Sequence, residues 1–290
     1  PLLGARIEAL KVIANSFYGY LGFAPARWYC KECAESTTAW ARHYIHEAIG
    51  LAEASGFKVL YGDTDSIFLL LESHTKEDAV SLVKDINENL PGLMELEFEG
   101  FYPAGIFVSL KSSELGAKKK YALIDEKDNL TIKGFETVRR NWSFIAKDVQ
   151  ADVLGMVLKD KDVGRAVEYV RGIVDDLRNN RIPVERLVIR TQLTKSVSDY
   201  AAVGPHVAAA RLMIEQGREP SPGTIVEYVI VKGKGRIRDK VALVSDAKQE
   251  DYDGEYYIMH QIIPGVERIF AVLGVGVDEL KEATRQGRLE

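Results

Sequence analysis

Residues 58–71, KVLYGDTDSIFLLL, read as an apolar strand, a tight turn and a second apolar strand. The turn carries two carboxylates two residues apart, Asp63 and Asp65. In an extended chain, residues i and i+2 lie on the same side. Two acids aimed at one point from a stiff hairpin form a site for divalent cations, and oxygen ligands in small number suit Mg²⁺. An ordinary polar turn is the competing reading, since Gly and Asp are common turn residues.

The 290 residues suffice for one large domain or two ordinary ones. With 46% hydrophobic and 28% charged residues and a net charge of −5, the composition is that of a soluble globular protein. No apolar run approaches the ~20 residues of a membrane helix, and the first residues lack the layout of a signal peptide. Two cysteines exclude a disulfide scaffold and point to a reducing compartment. Mild acidity does not exclude nucleic acid, because phosphate contacts depend on local basic clusters. Pro1 is not a methionine and a helical pattern is running by Leu3, which points to part of something longer.

Leu3, Ile7, Leu10, Ala14 and Phe17 form one apolar stripe at helical spacing, ended by Gly19, Gly22 and Pro25. Beside the stripe lie Lys11, Asn15 and Tyr18. At about 100° per residue they fall within roughly one-sixth of the helix circumference. A lysine there can neutralise a phosphate and a tyrosine can stand beside a sugar; a solvated helix edge is the plainer reading.

A second helix is predicted over residues 31–55. Cys30 and Cys33 form a C-x-x-C followed by His43 and His46, but both gaps are shorter than zinc-finger spacing. Structural thiols are expected instead. Beyond the hairpin a helix is predicted over residues 76–90. Residues 95–99 alternate strictly as ELEFE and predict a half-buried strand with three acids on its solvent face. Strands follow at residues 105–110, 122–124 and 130–133. Lys118-Lys119-Lys120-Tyr121 suits a nucleic-acid backbone, or a solvated loop.

From about Ala146 helical patterns dominate, and a domain boundary is placed near Asp148. A strand pair is predicted at residues 225–231 and 236–243. Lys232, Lys234, Arg236, Arg238 and Lys240 alternate through its turn, so period-two spacing would put all five on one side. They read as a phosphate track or as an exposed basic ribbon. Helical segments cover residues 205–217 and 255–286.

Four stretches in this order resemble the family B DNA polymerases, most closely the archaeal replicative ones. They are KVIANSFYGYLG (11–22), YGDTDS (61–66), KKKY (118–121) and GFETVRRNWSFIAKDVQ (134–150). The later PHV (205–207) and YYIMHQIIPGVERI (256–269) resemble that family's thumb. The resemblance implies an α+β fold: a palm with an antiparallel sheet flanked by helices, then a mainly helical thumb with a small β subdomain. Residues 1–22 would be the distal fingers helix returning to the palm, 23–148 the palm and 149–290 the thumb.

It also implies site residues. Lys11 would hold the triphosphate, with Asn15 and Tyr18 bordering the nascent base pair. Asp65 would be the metal ligand, Asp63 its neighbour in a less direct role, and Glu99 a further carboxylate near the metal. Lys118, Lys119, Lys120 and Tyr121 would meet primer–template DNA, with Lys232, Lys234 and Arg236 as thumb contacts. The implied reaction is two-metal nucleotidyl transfer from a deoxynucleoside triphosphate to the primer 3′-hydroxyl with two Mg²⁺ ions, in a cytoplasmic, nucleoid-associated enzyme.

The family's other palm aspartate, in an S-L-Y-P-S type motif, has no counterpart in these residues. An N-terminal portion or subunit, bearing the exonuclease domain and the remaining palm, is therefore expected as partner, and the chain alone is expected to be inactive. Gln286-Gly287-Arg288-Leu289 begins like a sliding-clamp motif but lacks its aromatic pair, so no clamp binding through this tail is expected. The alternative function is a non-catalytic subunit that grips duplex DNA, as in an inactivated paralogue. A different phosphotransferase such as a nucleotide cyclase would leave the thumb-like stretches unexplained.

Overall fold

The computed structural model describes residues 2–109, 116–139 and 141–281, with backbone alone for residues 2, 63, 109, 116–119 and 138. By compactness the chain divides into two units, Pro1–Gly100 and Phe101–Glu290. Among the described residues, no helix is long and apolar enough to cross a membrane.

In the first unit, helix α1 (Leu2–Leu21) is followed by α2 (Lys31–Ala54), the antiparallel hairpin β1 (Lys58–Asp63) and β2 (Ser66–Leu70), and helix α3 (Lys76–Asn89). Small residues at Ala48 and Ala52 let α2 approach the hairpin closely. They pack with Phe57, Ala79, Leu82 and Ile86 in a small core, with Val59, Ile67 and Leu69 of the hairpin at its edge. The apolar stripe of α1 contributes nothing to this core: Leu3 is 72% and Leu10 66% exposed. The helix is as the periodicity predicts, but its apolar face is uncovered.

Helix α3 starts on a capping box. The Thr75 hydroxyl accepts from the Asp78 N–H at 3.1 Å, and the Asp78 carboxylate accepts from the Thr75 N–H at 2.8 Å. Thr75→Ala is expected to cost about 1 kcal/mol, readable as a lower urea midpoint for this unit. The Thr75 backbone N–H, then its side chain, hold the Asp78 carboxyl below the usual carboxylate range. A group depressed on folding stabilises above its unfolded pKa and loses that contribution as pH falls through the folded value. The cap therefore weakens only in acid.

The strand predicted at residues 95–99 is not formed. Both backbone groups of Leu96 are taken by one side chain: its N–H donates to Asn87 Oδ1 at 2.7 Å, and its carbonyl accepts from Asn87 Nδ2 at 2.9 Å. Alternation recorded a half-buried leucine between solvated acids, and α3 supplies the hydrogen bonds that a neighbouring strand would have given.

The second unit opens with the antiparallel sheet β3 (Ala104–Ser109), β4 (Gly116–Ile124) and β5 (Leu130–Lys133), in that order. Asp125 shapes the β4–β5 turn by accepting from the N–H groups of Lys127 and Asn129, each at 2.8 Å. A 3₁₀ turn (Glu136–Val138) leads to helices α4 (Phe144–Leu158) and α5 (Val163–Arg178). In α5, Ala166, Val170, Ile173, Val174 and Leu177 recur at helical spacing and are buried. The antiparallel sheet β6 (Ile189–Gln192), β7 (Ile225–Ile230) and β8 (Val241–Leu243) carries helix α6 (Pro205–Glu215) between its first two strands.

The unit closes with α7 (Gly254–Tyr257), a π-helical turn (Ile258–Ile262), α8 (Ile263–Val272) and α9 (Val277–Lys281). Pro264 has no N–H to offer the His260 carbonyl, and the widened turn lies where that bond is lost. One core runs from Ile106 and Ala122 of the first sheet through α4, α5 and α8 to Val229 and Leu243 of the second. The architecture is α+β: palm-like antiparallel sheets flanked by helices, then a mainly helical region with small β elements, as the sequence implies. Asp148, where the domain boundary is expected, lies within α4.

Candidate active site

The hairpin pairs Gly62 with Ile67 and Asp63 with Ser66, which leaves Thr64 and Asp65 as the connecting residues. Thr64 has φ 57°. A β-branched residue is strained in that left-handed region, where glycine or asparagine is at ease. Strain of this kind collects at functional turns. The period-two relation expected between Asp63 and Asp65 does not apply, because the chain reverses between them. Asp63 ends β1 and its side chain lies outside the described residues; Asp65 stands on the turn itself, exposed.

Asp65 forms no hydrogen bond or ion pair among the described residues, and its side chain is exposed. Glu99 is exposed in the irregular segment after α3. Among the described residues, no three His, Cys, Asp or Glu side chains gather into a metal-binding group. Cys30 and Cys33 lie with sulfurs 2.9 Å apart at the start of α2.

Lys11, Asn15 and Tyr18 are all exposed on α1, Tyr18 by 47%. The helix that their spacing assumes is present, so they form the row of cation, amide and phenol on one flank.

The lysine run lies in β4. The side chains of Lys118 and Lys119 fall outside the described residues. Tyr121 is half-buried, its ring 5.5 Å from that of Phe107. Lys120 does not belong to an exposed triplet: it is 7% exposed, with Nζ 2.8 and 2.9 Å from the two Glu136 carboxylate oxygens. Burial draws the Lys120 ammonium below the usual lysine range. At Glu136 burial opposes ionisation, and the hydrogen bonds from Lys120 and Gln150 outweigh it, leaving the carboxyl below its usual range.

Glu136 and Gln150 are not among the site residues expected from the sequence. A signal was available at Gln150. It interrupts an apolar helical face, one turn from Ala146, Val153 and Leu154, and a glutamine there needs buried partners.

The basic ribbon at residues 232–240 is not a strand. A Gly-containing turn and a 3₁₀ turn (Ile237–Lys240) replace the expected alternation, and Gly235 has φ 102°. Lys232 Nζ donates to Asn180 Oδ1 at 2.7 Å and to the Glu250 carbonyl at 2.9 Å, while Lys240 pairs with Asp253 at 3.1 Å. Lys234 and Arg236 are exposed. The five cations therefore do not form one track. The clamp-like stretch at residues 286–289 lies outside the described residues.

Comparison with known proteins bears directly on these motifs. Residues 2–273 match the model of DNA polymerase family B. A DNA polymerase of Thermococcus gorgonarius is 47% identical over 293 residues, which cover 98% of this chain and 37% of the relative. That of Thermococcus kodakarensis is 47% identical over 280 residues, 94% of this chain and 16% of the relative. The solved structure of the family B DNA polymerase from the hyperthermophilic archaeon Pyrobaculum calidifontis superposes with a TM-score of 0.69 at 37% identity, covering 95% of this chain and 34% of that one. The chain thus spans little more than a third of the Thermococcus gorgonarius polymerase. With the family model matching nearly from end to end, and the fold agreeing, this chain belongs to the family B DNA polymerases.

Proposed function

We propose that the chain supplies the catalytic palm hairpin and the thumb of a DNA-directed DNA polymerase, and works together with an N-terminal portion or subunit bearing the other palm aspartate. The observation that carries this reading is the exposed Asp65, without a partner among the described residues, at a strained hairpin tip in a chain of this family. The donor chemistry fits Mg²⁺, which is commonly held by one or two carboxylates together with substrate phosphates. Asp65 would hold it, with Asp63 and Glu99 as further donors. Bound there, the metal supplies charge neutralisation at the triphosphate and acidification of the attacking hydroxyl.

The chain's own residues bind and orient. Lys11 places its ammonium against the triphosphate, and Asn15 and Tyr18 border the nascent base pair from the same helix flank. The primer 3′-oxygen forms its bond to the α-phosphorus, the bond to the bridging oxygen of the β-phosphate breaks, and pyrophosphate leaves. In-line displacement of this kind depends mainly on positioning and charge stabilisation. Lys118, Lys119 and Tyr121 meet the duplex near the growing end, and Lys234 and Arg236 are exposed cations of the expected thumb that can reach its phosphates.

Primer extension tests the proposal, with this chain alone and with a polypeptide carrying the S-L-Y-P-S type aspartate. Extension is expected only in the mixture. Robust extension by the chain alone removes the need for a partner. Duplex binding with no extension in any mixture favours the non-catalytic subunit. The grip itself has a separate test. Replacing Lys118 and Lys119 by alanine should reduce the slope of log affinity against log salt by up to about 1.8, at about 0.9 per phosphate contact. An unchanged slope would make the run a solvated strand end.

A further inference from the structure

One lysine of the run is built into the protein rather than presented to a ligand. In β4, Lys120 shares a strand face with Ala122 and Ile124, both buried in the core of the second unit. Tyr121 lies on the opposite face. The Lys120 ammonium meets both Glu136 oxygens and lies 4.9 Å from the centre of the Phe135 ring.

Glu136 in turn accepts from Gln150 Nε2 at 2.9 Å. The second hydrogen of the Gln150 amide goes to the Gly265 carbonyl, and its oxygen accepts from the Thr137 N–H at 2.9 Å. Gln150 is fully buried, and each polar group of its amide is used. A Cβ at Gly265 would lie 3.3 Å from the Trp142 ring, so the start of α8 is closely packed here. The chain of bonds thus joins four segments: β4, the 3₁₀ turn at Glu136, α4 and the start of α8.

On this geometry we infer that Lys120 is a positioning residue and not a phosphate ligand. Through Glu136, Gln150 and the Gly265 carbonyl it fixes the strand bearing the lysine run and Tyr121 to α4 and α8, and so sets how that strand meets the duplex. The inference rests on the polymerase reading above. With two of its three hydrogens on Glu136 and only 7% of the residue exposed, this ammonium is poorly placed to take a phosphate. Displacing Glu136 would leave a buried carboxylate without its partner, which is costly.

Salt-resolved duplex binding by the assembled polymerase tests it, with Lys119→Ala, Lys120→Met and the neutral pair Lys120→Met/Glu136→Gln compared with the wild type. All are measured at a temperature where circular dichroism reports a folded protein. Lys120→Met is expected to raise the Kd by about tenfold through misplacement of the strand. Its salt slope should stay at the wild-type value, while Lys119→Ala lowers the slope by about 0.9. The neutral pair leaves no buried charge, so it keeps the test valid if the single variant does not fold, and the same raised Kd with unchanged slope is expected of it.

A slope lowered by about 0.9 in either Lys120 variant would make the residue a phosphate ligand and overturn the inference. An unchanged Kd with only a lower melting temperature would reduce the cluster to packing, and would overturn it equally. No duplex binding by the wild type would remove the polymerase reading, and the inference with it. That outcome is distinct from the other two, which require a wild type that binds.

Discussion

Asp65→Ala should lower single-turnover primer extension by the assembled enzyme on the order of 10³-fold, while duplex affinity and melting temperature stay near the wild-type values. The rate effect follows from the proposed metal role. A metal contributes several kcal/mol of charge stabilisation in the transition state, and each 1.36 kcal/mol is about tenfold in rate. The absence of a stability effect follows from the structure. Asp65 is exposed and makes no hydrogen bond or ion pair among the described residues, and substitutions at such positions usually stay within about 0.5 kcal/mol. Duplex affinity should not fall, because the substitution removes a negative charge rather than a phosphate contact. Asp65→Asn keeps the size and loses the charge, so it should be nearly as slow. Near-normal extension by either variant would refute the assigned role, and a large drop in melting temperature would show that the hairpin needs the carboxylate to fold.

Local signals carried much of this architecture. The period of 3.6 places α1, α2, α3 and α6, and alternation with a Gly-Asp-Thr-Asp turn places the β1–β2 hairpin, nearly where the structure has them. Expectations failed where a pattern was asked to specify a neighbour. Residues 95–99 alternate, but Asn87 takes both hydrogen-bonding groups of Leu96. The cations from Lys232 to Lys240 also alternate, but alternation needs an extended chain, and this one is turned at Gly235 and coiled at Ile237–Lys240. Strand β6, with a single buried apolar residue at Ile189, is too short to show a period and exists through its pairing with β7.

The candidate site divides in the same way. The positions of Lys11, Asn15 and Tyr18 on a helix flank and of Asp65 on a hairpin turn are legible, because helix and hairpin are local structures. The burial of Lys120 is not legible, because its place on the inner face of β4 depends on Glu136 and Gln150, which lie 16 and 30 residues further on (136 − 120 and 150 − 120). Neither partner is close enough in sequence for a window of residues to connect them.

Such tertiary dependence also decides what a methyl group does at two glycines of the second unit. Gly254→Ala is expected to destabilise the protein by about 3 kcal/mol, near the upper end for overpacking a core. Gly254 is the first residue of α7 and is buried. A Cβ there would overlap the Leu177 carbonyl oxygen, at 2.9 Å from its carbonyl carbon and 3.4 Å from the Arg178 nitrogen. These are backbone atoms at the end of α5, so no side-chain rotation relieves the contact. The α7 backbone cannot easily retreat. Asp253 accepts from the Tyr256 N–H at 3.0 Å, its own N–H donates to the Ile230 carbonyl at 3.0 Å, and its carboxylate pairs with Lys240.

Gly172 within α5 is the control. A Cβ there meets nothing within 4 Å, so Gly172→Ala should stabilise by up to about 1 kcal/mol through helix propensity alone. At about 2–4 °C per kcal/mol for a unit of this size, melting curves should move down by roughly 6–12 °C for Gly254→Ala and slightly up for Gly172→Ala. Two glycine-to-alanine changes with opposite signs would locate the effect in the α5–α7 contact rather than in the loss of glycine. A Gly254→Ala protein that melts with the wild type would mean that α7 and the end of α5 do not approach as described.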